Sequence, residues 1–193
     1  MRGTNLIVES NAVNQFTCDF SAYDVVGFHG TSSAASARIE TVGFLPDKLF
    51  SLHEHESFVS IARQLGLNLN DYLQWMEMRS ATFVENSNDA VGHVLKGNCG
   101  GQGLNNMVGL LEEIHLHGSD DQKGIARAMM ERISFVRNSA AVVYAVDLSG
   151  LGPRLVKDKY RPYHHVYWDK NAPLPAVSEL GPSRLIARLD VRR

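Results

Sequence analysis

The sequence has few cysteines, no long apolar run and no excess of positive charge. Its two cysteines, Cys18 and Cys99, cannot build a disulfide framework; a single bond between them stays open, and a reducing compartment is expected. No apolar run approaches the roughly 18 residues that cross a bilayer, which excludes a helical membrane protein. The net charge of −2 excludes a protein that holds nucleic acid through bulk charge, and it leaves a local basic patch open. The first residues lack the apolar core of a secretion signal.

The composition that remains is that of a globular protein. Of the 193 residues, 44% are hydrophobic and 21% are charged, which is enough apolar material for a core and excludes disorder as the main state. Predicted strands cluster near the two ends of the chain, and predicted helices fill its middle. This order favours an α+β fold over a regular βαβ repeat.

Apolar periodicity and capping residues give the expected elements. Residues 97–103, GNCGGQG, are expected to form a loop, because four glycines in seven residues disfavour any regular element. Strands are predicted over residues 5–9, 23–28, 81–84, 140–148, 164–168 and 184–191. Helices are predicted from Ser32 or Ser33 to Gly43 and over residues 56–65, 70–78, 88–96, 104–117 and 120–136.

The most informative segment is VVGFHGTSSAASARIETVGF, residues 25–44. An apolar strand is expected to deliver His29 at its end. Gly30 lets a backbone approach a ligand closely, and Thr31 and Ser32 add hydroxyl groups. A short helix and a Gly-Phe pair follow. The structural alternative for this segment is a capping turn with a core histidine.

This segment resembles the first NAD-binding segment of the ADP-ribosyltransferases of the diphtheria-toxin and poly(ADP-ribose) polymerase class. In that family the strand-end histidine bonds the adenosine-side ribose, and the glycine backbone holds the nicotinamide carboxamide. The next hydroxyl residue lies near the ribose. The resemblance carries these roles to His29, Gly30 and Thr31, with Ser32 as the alternative hydroxyl, and it gives His29 a part in catalysis as well as in binding.

Two further segments resemble the same family. Residues 79–95 look like its second strand and helix, where the family has a tyrosine that stacks on nicotinamide. This chain has Phe83 there, which either supplies the aromatic face or belongs to the core. Residues 174–191 look like the closing strands of the family, and Glu179 is the expected catalytic acid. The alternative for Glu179 is a solvated side chain in a turn.

The resemblance implies split antiparallel sheets that form an NAD cleft, in a single domain over residues 1–193 with a helical insertion at about 97–138. It also implies NAD-dependent mono-ADP-ribosyl transfer to a protein or a nucleic acid, with NAD as co-substrate and no metal. A compact chain of this kind suits a bacterial toxin or effector domain that acts in the cytoplasm after non-classical delivery. A toxin of this class would also meet a cognate inhibitor protein.

Other interpretations stay open. The unmatched tyrosine favours a non-catalytic module that keeps the NAD cleft and binds a partner. RNA 2′-phosphotransferase chemistry on a related scaffold would need a second histidine and an arginine, which the sequence does not assign. Cys99, in its glycine-rich segment, is a candidate nucleophile for Cys–His hydrolysis. The same glycines are a weak candidate for a phosphate loop, because they lack the Gly-Lys-Ser/Thr of that motif.

Histidine pairs and one aromatic segment give weaker hypotheses. His53 and His55, expected in a loop, and His115 and His117, expected at a helix end, are metal-ligand residue types that also suit solvated surface. In YRPYHHVYW, residues 160–168, aromatic and basic side chains stand together. Such a segment can stack on and hold a nucleotide or a nucleic-acid strand. It can equally be a strand with one core face and one surface face.

Overall fold

The structure, a computed structural model, has an α+β fold with a seven-stranded mixed sheet and six α-helices among its described residues, as the order of predicted strands and helices indicates. It describes residues 6–44, 49–77, 80–96, 101–167 and 180–192. The chain divides into a sheet unit, residues 1–46, 79–99 and 139–193, and a helical unit, residues 47–78 and 100–138.

All strands among the described residues belong to the sheet unit. In chain order they are β1 Ile7–Glu9, β2 Val26–Ser32, β3 Ser80–Val84, β4 Ala141–Asp147, β5 Leu155–Lys157, β6 Tyr163–Tyr167 and β7 Leu185–Val191. The helices are α1 Ser33–Val42, α2 Leu52–Gln64, α3 Asn70–Glu77, α4 Ser87–Leu95, α5 Gly101–His117 and α6 Asp120–Asn138. Helices α1 and α4 lie in the sheet unit, and the other four lie in the helical unit.

The strands form one open sheet in the order β1-β7-β4-β2-β3-β6-β5. Strands β1 and β7 are parallel, and every other pair of neighbours is antiparallel. We expected split antiparallel sheets, and the described strands instead pair as one mixed sheet. Its central join is narrow, because β2 pairs with β4 over seven residues but with β3 only at Phe28↔Val84. A long block, β1-β7-β4-β2, therefore meets a short block, β3-β6-β5, at one residue pair.

Each face of the sheet carries its own core. On the α4 face, helix α4 packs Ala90 and Val94 against the strands. On the opposite face, the α1 face, Ile39 of α1 and the following Phe44 pack against them. Successive side chains of a strand point to opposite faces. The position of Gly30 against Val94 places even-numbered residues of β2 on the α4 face, and His29 on the α1 face.

Strand β2 runs further than the sequence predicts. The expected strand ends at residue 28, whereas β2 continues through the whole HGTS segment to Ser32. The reason is its partner, because β4 pairs with β2 residue by residue from Val26↔Asp147 to Ser32↔Ala141. Helix α1 follows directly, and Ser32 occupies its N-cap position without a side-chain capping bond.

The helical unit has a separate core. Buried side chains of its four helices form one apolar cluster, which includes Phe58, Tyr72, Met107, Leu111 and Ile133. Helix α2 begins at Leu52 rather than at residue 56, because Ser51 and Glu54 form a complete capping box. Helix α5 begins at Gly101, inside the expected loop of residues 97–103; packing of its apolar side outweighs the low helix propensity of glycine.

The described helices do not cross a membrane. None of them combines the length and the apolar character that a bilayer span requires. This finding concerns the described residues alone.

Candidate functional site

His29 lies where the two blocks of the sheet stop pairing. The backbone pairing of β2 with β3 ends at Phe28↔Val84. One residue further, Nδ1 of His29 lies 2.9 Å from the carbonyl oxygen of Thr82 on β3. A carbonyl only accepts, so Nδ1 carries the proton and donates it to Thr82. The side chain of His29 thus joins the long block to the short block just past the last backbone pair.

The His29 imidazole is held in its neutral form. Burial lowers the pKa of His29 more than the hydrogen bond to Thr82 raises it, and His93 lowers it further. With Nδ1 protonated, Nε2 carries the lone pair and is a hydrogen-bond acceptor. Among the described residues no group donates a hydrogen bond to Nε2. The residue itself is half-buried. The result is a fixed tautomer whose acceptor nitrogen takes no hydrogen bond from the described part of the chain.

Two phenylalanine rings hold the imidazole in place. The ring centroids of Phe44 and Phe83 lie 4.9 Å and 5.6 Å from that of His29. The two phenylalanine rings also pack edge to face, with centroids 5.3 Å apart. Phe83 has no exposed surface, so its ring packs within the core of the α1 face rather than presenting an open face. Its expected role as the aromatic platform for nicotinamide stays a prediction, which this burial does not favour.

Gly30 meets helix α4 on one side and points its backbone toward β3. A Cβ atom at Gly30 would lie 2.6 Å from Cγ1 of Val94 and 3.0 Å from the carbonyl oxygen of Ala90. Close packing against α4 therefore explains why this position is a glycine. The N–H of Leu148 donates to the carbonyl of Val25, and the N–H of Ser33 donates to the carbonyl of Ala140. The backbone N–H and C=O groups of odd-numbered residues in this segment therefore point toward β4. By the alternation of an antiparallel ladder, the N–H and C=O of Gly30 face β3, beyond the last backbone pair.

The two hydroxyl candidates lie on different faces of the sheet. Thr31 shares the α1 face with His29, whereas Ser32 lies on the α4 face and is fully buried. The Ser32 Oγ has no hydrogen-bond partner among the described residues. Face alternation therefore favours Thr31 over Ser32 as the hydroxyl that accompanies His29.

A chain of polar side chains supports Thr82 from the short block. Its Oγ1 lies 3.1 Å from Nδ1 of His165 on β6, and Nε2 of His165 lies 3.5 Å from Oδ2 of Asp158. Sequence reasoning singled out His165 only within an aromatic segment, and it did not find Thr82 or Asp158. The register between β3 and β6 brings these residues together, and no short-range pattern encodes it.

A second polar cluster lies beside His29 on the α1 face. Tyr144 pairs with His29 across β4 and β2, and its hydroxyl donates to Oε1 of Glu40 on α1 at 2.6 Å. Arg188 of β7 donates to the same oxygen at 2.9 Å and to Asp190 at 2.7 Å. Burial, and then the bond to Glu40, raise the pKa of Tyr144, so its hydroxyl stays protonated. Sequence reasoning did not find this cluster.

Two expected functional residues lie outside the described residues. Glu179, the expected catalytic acid, and Cys99, the candidate nucleophile, are not described, and their roles stay predictions. The protein has a shallow depression of about 500 Å³, and none of the predicted site residues that the structure describes lines it. It lies past the C-terminal end of β4 and is lined by Gly150, Leu151, Arg154 and Arg184.

The histidine pairs do not form a metal site in the described part of the chain, where no three potential ligands come together. His53 and His55 lie on helix α2, not in a loop as expected. His55 is buried and bonds through Nδ1 to the hydroxyl of Tyr72. His115 and His117 lie in the last turn of α5, and His117 lies 3.5 Å from Glu113.

Comparison of the chain with protein-family models, with curated proteins and with solved structures finds no match.

Proposed function

We propose that the chain transfers ADP-ribose from NAD to a macromolecular acceptor, as the resemblance of residues 25–44 implies. The observation that carries the proposal is the setting of His29. A neutral imidazole with a fixed tautomer stands where β2 and β3 stop pairing, and its Nε2 acceptor takes no hydrogen bond from a described residue.

The polar groups near His29 fit the chemistry of a dinucleotide. Ribose hydroxyls donate and accept, which suits Nε2 of His29 and the hydroxyl of Thr31 on the same face. A carboxamide also donates and accepts, which suits the N–H and C=O of Gly30 that face β3. Three successive residues of one strand would then fix both ends of the substrate, and such positioning is a recognised source of rate enhancement.

The reaction needs one further group, a carboxylate. Cleavage of the bond between nicotinamide and ribose develops positive charge on the ribose, which an aligned carboxylate stabilises. Glu179 is proposed for that role. Glu40, a described carboxylate on the face of His29, is already held by Tyr144 and Arg188. The cluster around Glu40 is therefore assigned to fixing α1 against the sheet.

A first experiment separates NAD binding from turnover. Calorimetric titration of the wild-type chain with NAD is expected to show uptake, and His29→Ala is expected to weaken it about tenfold to a hundredfold, because a hydrogen bond to ribose is lost. His53→Ala removes an exposed histidine of α2 and is the matched control. Absence of NAD uptake by the wild type, or equal affinity in the wild type and His29→Ala, would refute the proposal.

A second experiment tests the carboxylate. Glu179→Gln is expected to lower nicotinamide release far more than NAD affinity, because the charge that a carboxylate stabilises forms mainly in the transition state. Equal losses of affinity and turnover would count against this assignment of Glu179.

One observation favours a second candidate, a non-catalytic module that binds NAD. The described rings packed against His29, Phe44 and Phe83, are both buried, and neither offers an open face for nicotinamide. Wild-type protein that takes up NAD without releasing nicotinamide, even with cell lysate as a source of acceptors, would establish this candidate instead.

A further inference from the structure

The β5–β6 hairpin carries a concentration of basic and aromatic side chains. We call residues 155–166 the basic hairpin. It contains Lys157, Lys159 and Arg161 against one acidic residue, Asp158, in a chain whose net charge is −2. The hairpin therefore carries a net positive charge, whereas the whole chain carries a net negative charge. The function proposed above assigns no role to the hairpin.

The acidic residue of the basic hairpin is turned inward to build the turn. Oδ1 of Asp158 accepts the backbone N–H groups of Tyr160 at 2.7 Å and Arg161 at 3.0 Å. The backbone N–H of Asp158 donates to the carbonyl of Tyr163 at 2.8 Å. These bonds, that from Tyr160 above all, lower the pKa of Asp158, so the carboxylate stays ionised within the turn. Hydrogen bonds thus fix the conformation of the turn, and the Asp158 carboxylate accepts two of them.

The tip presents a ring between two cations. The Tyr160 side chain is 85% exposed, and Lys159 and Arg161 are exposed on either side of it. Nζ of Lys159 lies 5.4 Å from the centre of the Tyr160 ring, and the guanidinium of Arg161 lies 5.9 Å from the Tyr163 ring. Lys157 is already paired with Glu85 at 2.6 Å. Two cations and one exposed ring therefore lie together on a hydrogen-bonded turn.

We propose that the basic hairpin binds single-stranded nucleic acid and presents it as the acceptor; the acceptor role rests on the function proposed above. Every base has a face that stacks on an exposed tyrosine, and every nucleotide has a phosphate for a flanking cation. An acidic peptide would use the cations but would leave the ring without a partner. The structure thus favours a nucleic-acid strand over an acidic protein.

The hairpin is connected to the site through paired strands. Strand β6 pairs with β3 along five residues, and His165 lies opposite Thr82, whose carbonyl holds His29. The backbone N–H of Glu85, just past β3, donates to the carbonyl of Pro162 at 3.0 Å. In the transfer, the bond from ribose C1′ to nicotinamide breaks, a bond to an acceptor oxygen or nitrogen forms, and the acceptor proton leaves to solvent. No further reactant is required.

Binding is tested without NAD, so that its failure is separate from failure of the transferase proposal. Fluorescence anisotropy would compare a labelled 12-nucleotide poly-dT strand, a poly-U strand of the same length and a poly-glutamate peptide. Raising salt from 50 to 200 mM is expected to weaken strand binding about sevenfold, as two phosphate contacts predict. No salt-dependent strand binding, or equal binding of poly-glutamate, would overturn the inference.

Variants then locate the binding surface. Tyr160→Ala is expected to weaken strand binding about tenfold or more, and Tyr160→Phe to leave it unchanged, because stacking needs the ring alone. Arg161→Gln is expected to reduce the salt dependence. Phe135→Ala removes an exposed ring of α6 and is the matched control. Tyr160→Ala with wild-type affinity would overturn the assignment of the tip.

The acceptor role has its own readout. Protein that releases nicotinamide is mixed with labelled NAD and lysate, and the labelled product is digested with nuclease or with protease. Label released by nuclease supports the acceptor role. Label released only by protease overturns that role while leaving the transferase proposal standing.

Discussion

Three glycines around the strand of His29 are closely packed, whereas two glycines within helices of the helical unit are not. At Gly27, Gly30 and Gly43 of the sheet unit, an added Cβ would lie within 2.7 Å of a neighbouring atom. At Gly109 and Gly124, within helices α5 and α6, it would meet nothing within 4 Å. The backbone around His29 is therefore specified by close contacts, whereas the helices of the other unit tolerate substitution at these positions.

The difference follows the location of the candidate site. In the sheet unit, each tight glycine lets another element approach β2 or the end of α1: Phe83 and Leu148 at Gly27, α4 at Gly30, and residues 180–181 at Gly43. These approaches fix the strand that carries His29. The substitutions below test the contrast, from the largest expected effect to the smallest.

Gly43→Ala is expected to have the largest effect, a loss of more than about 3 kcal/mol in the free energy of unfolding. Gly43 has φ of +82°, which disfavours alanine, and its Cβ would lie 2.1 Å from the carbonyl oxygen of Leu180. Urea denaturation followed by circular dichroism measures the loss. Gly92→Ala, at an open position of α4, is the control and is expected to be neutral or stabilising.

Gly30→Ala is expected to cost about 1–3 kcal/mol, because Val94 already fills the space of the new methyl group. If packing alone selects glycine here, Gly30→Ala/Val94→Ala recovers part of the loss, and a double-mutant cycle shows the coupling. Additive losses would contradict this reason for the glycine.

Glu9→Gln is expected to cost about 1–2 kcal/mol at neutral pH, because the Glu9 carboxylate accepts bonds from Thr17 and Cys18. Burial opposes ionisation of Glu9, but these bonds outweigh it and lower the pKa. The bonds to the Glu9 carboxylate therefore stabilise the fold at pH values above the ordinary pKa of a glutamate. This stabilisation is lost as the pH falls through the lowered pKa of Glu9.

The control for Glu9 comes from the helical unit. Glu54→Gln changes a surface capping box that glutamine also supports. It also weakens a surface ion pair with Arg132, which contributes little, so its cost is expected to be smaller. Thermal denaturation of both variants between pH 3 and pH 7 measures the difference. A cost of Glu9→Gln that does not change with pH would contradict the role of the ionised carboxylate.

Gly109→Ala is expected to have the smallest effect and the opposite sign, a gain of about 0.5–1 kcal/mol. The position is open and lies within helix α5, where alanine is the better helix former. The same denaturation measurement applies. A loss at Gly109 would contradict the open packing of this position of α5.

Local sequence patterns predicted the bounds of single helices and strands better than they predicted which strands pair. The alternation along β7, the apolar run of β4 and the long helix α6 were predicted close to their observed bounds, because each depends on residues near in sequence. The extension of β2 through Ser32 was missed, because pairing with a distant strand determines it.

The same limit applies to the site. The order of His29, Gly30 and Thr31 was read from the sequence, but the Thr82 carbonyl that fixes the imidazole was not. Phe83 was considered both as a ligand platform and as a core residue, and only its burial separates these possibilities. Contacts such as these depend on strand register, which a single sequence does not specify.

The single pair Phe28↔Val84 has a consequence for how the sheet is held together. Few backbone hydrogen bonds join strands β3, β6 and β5 to the remainder of the sheet. The short block is therefore held mainly by side-chain contacts, such as those of Phe83 and Val166 with the core residues of β4, rather than by a continuous backbone ladder.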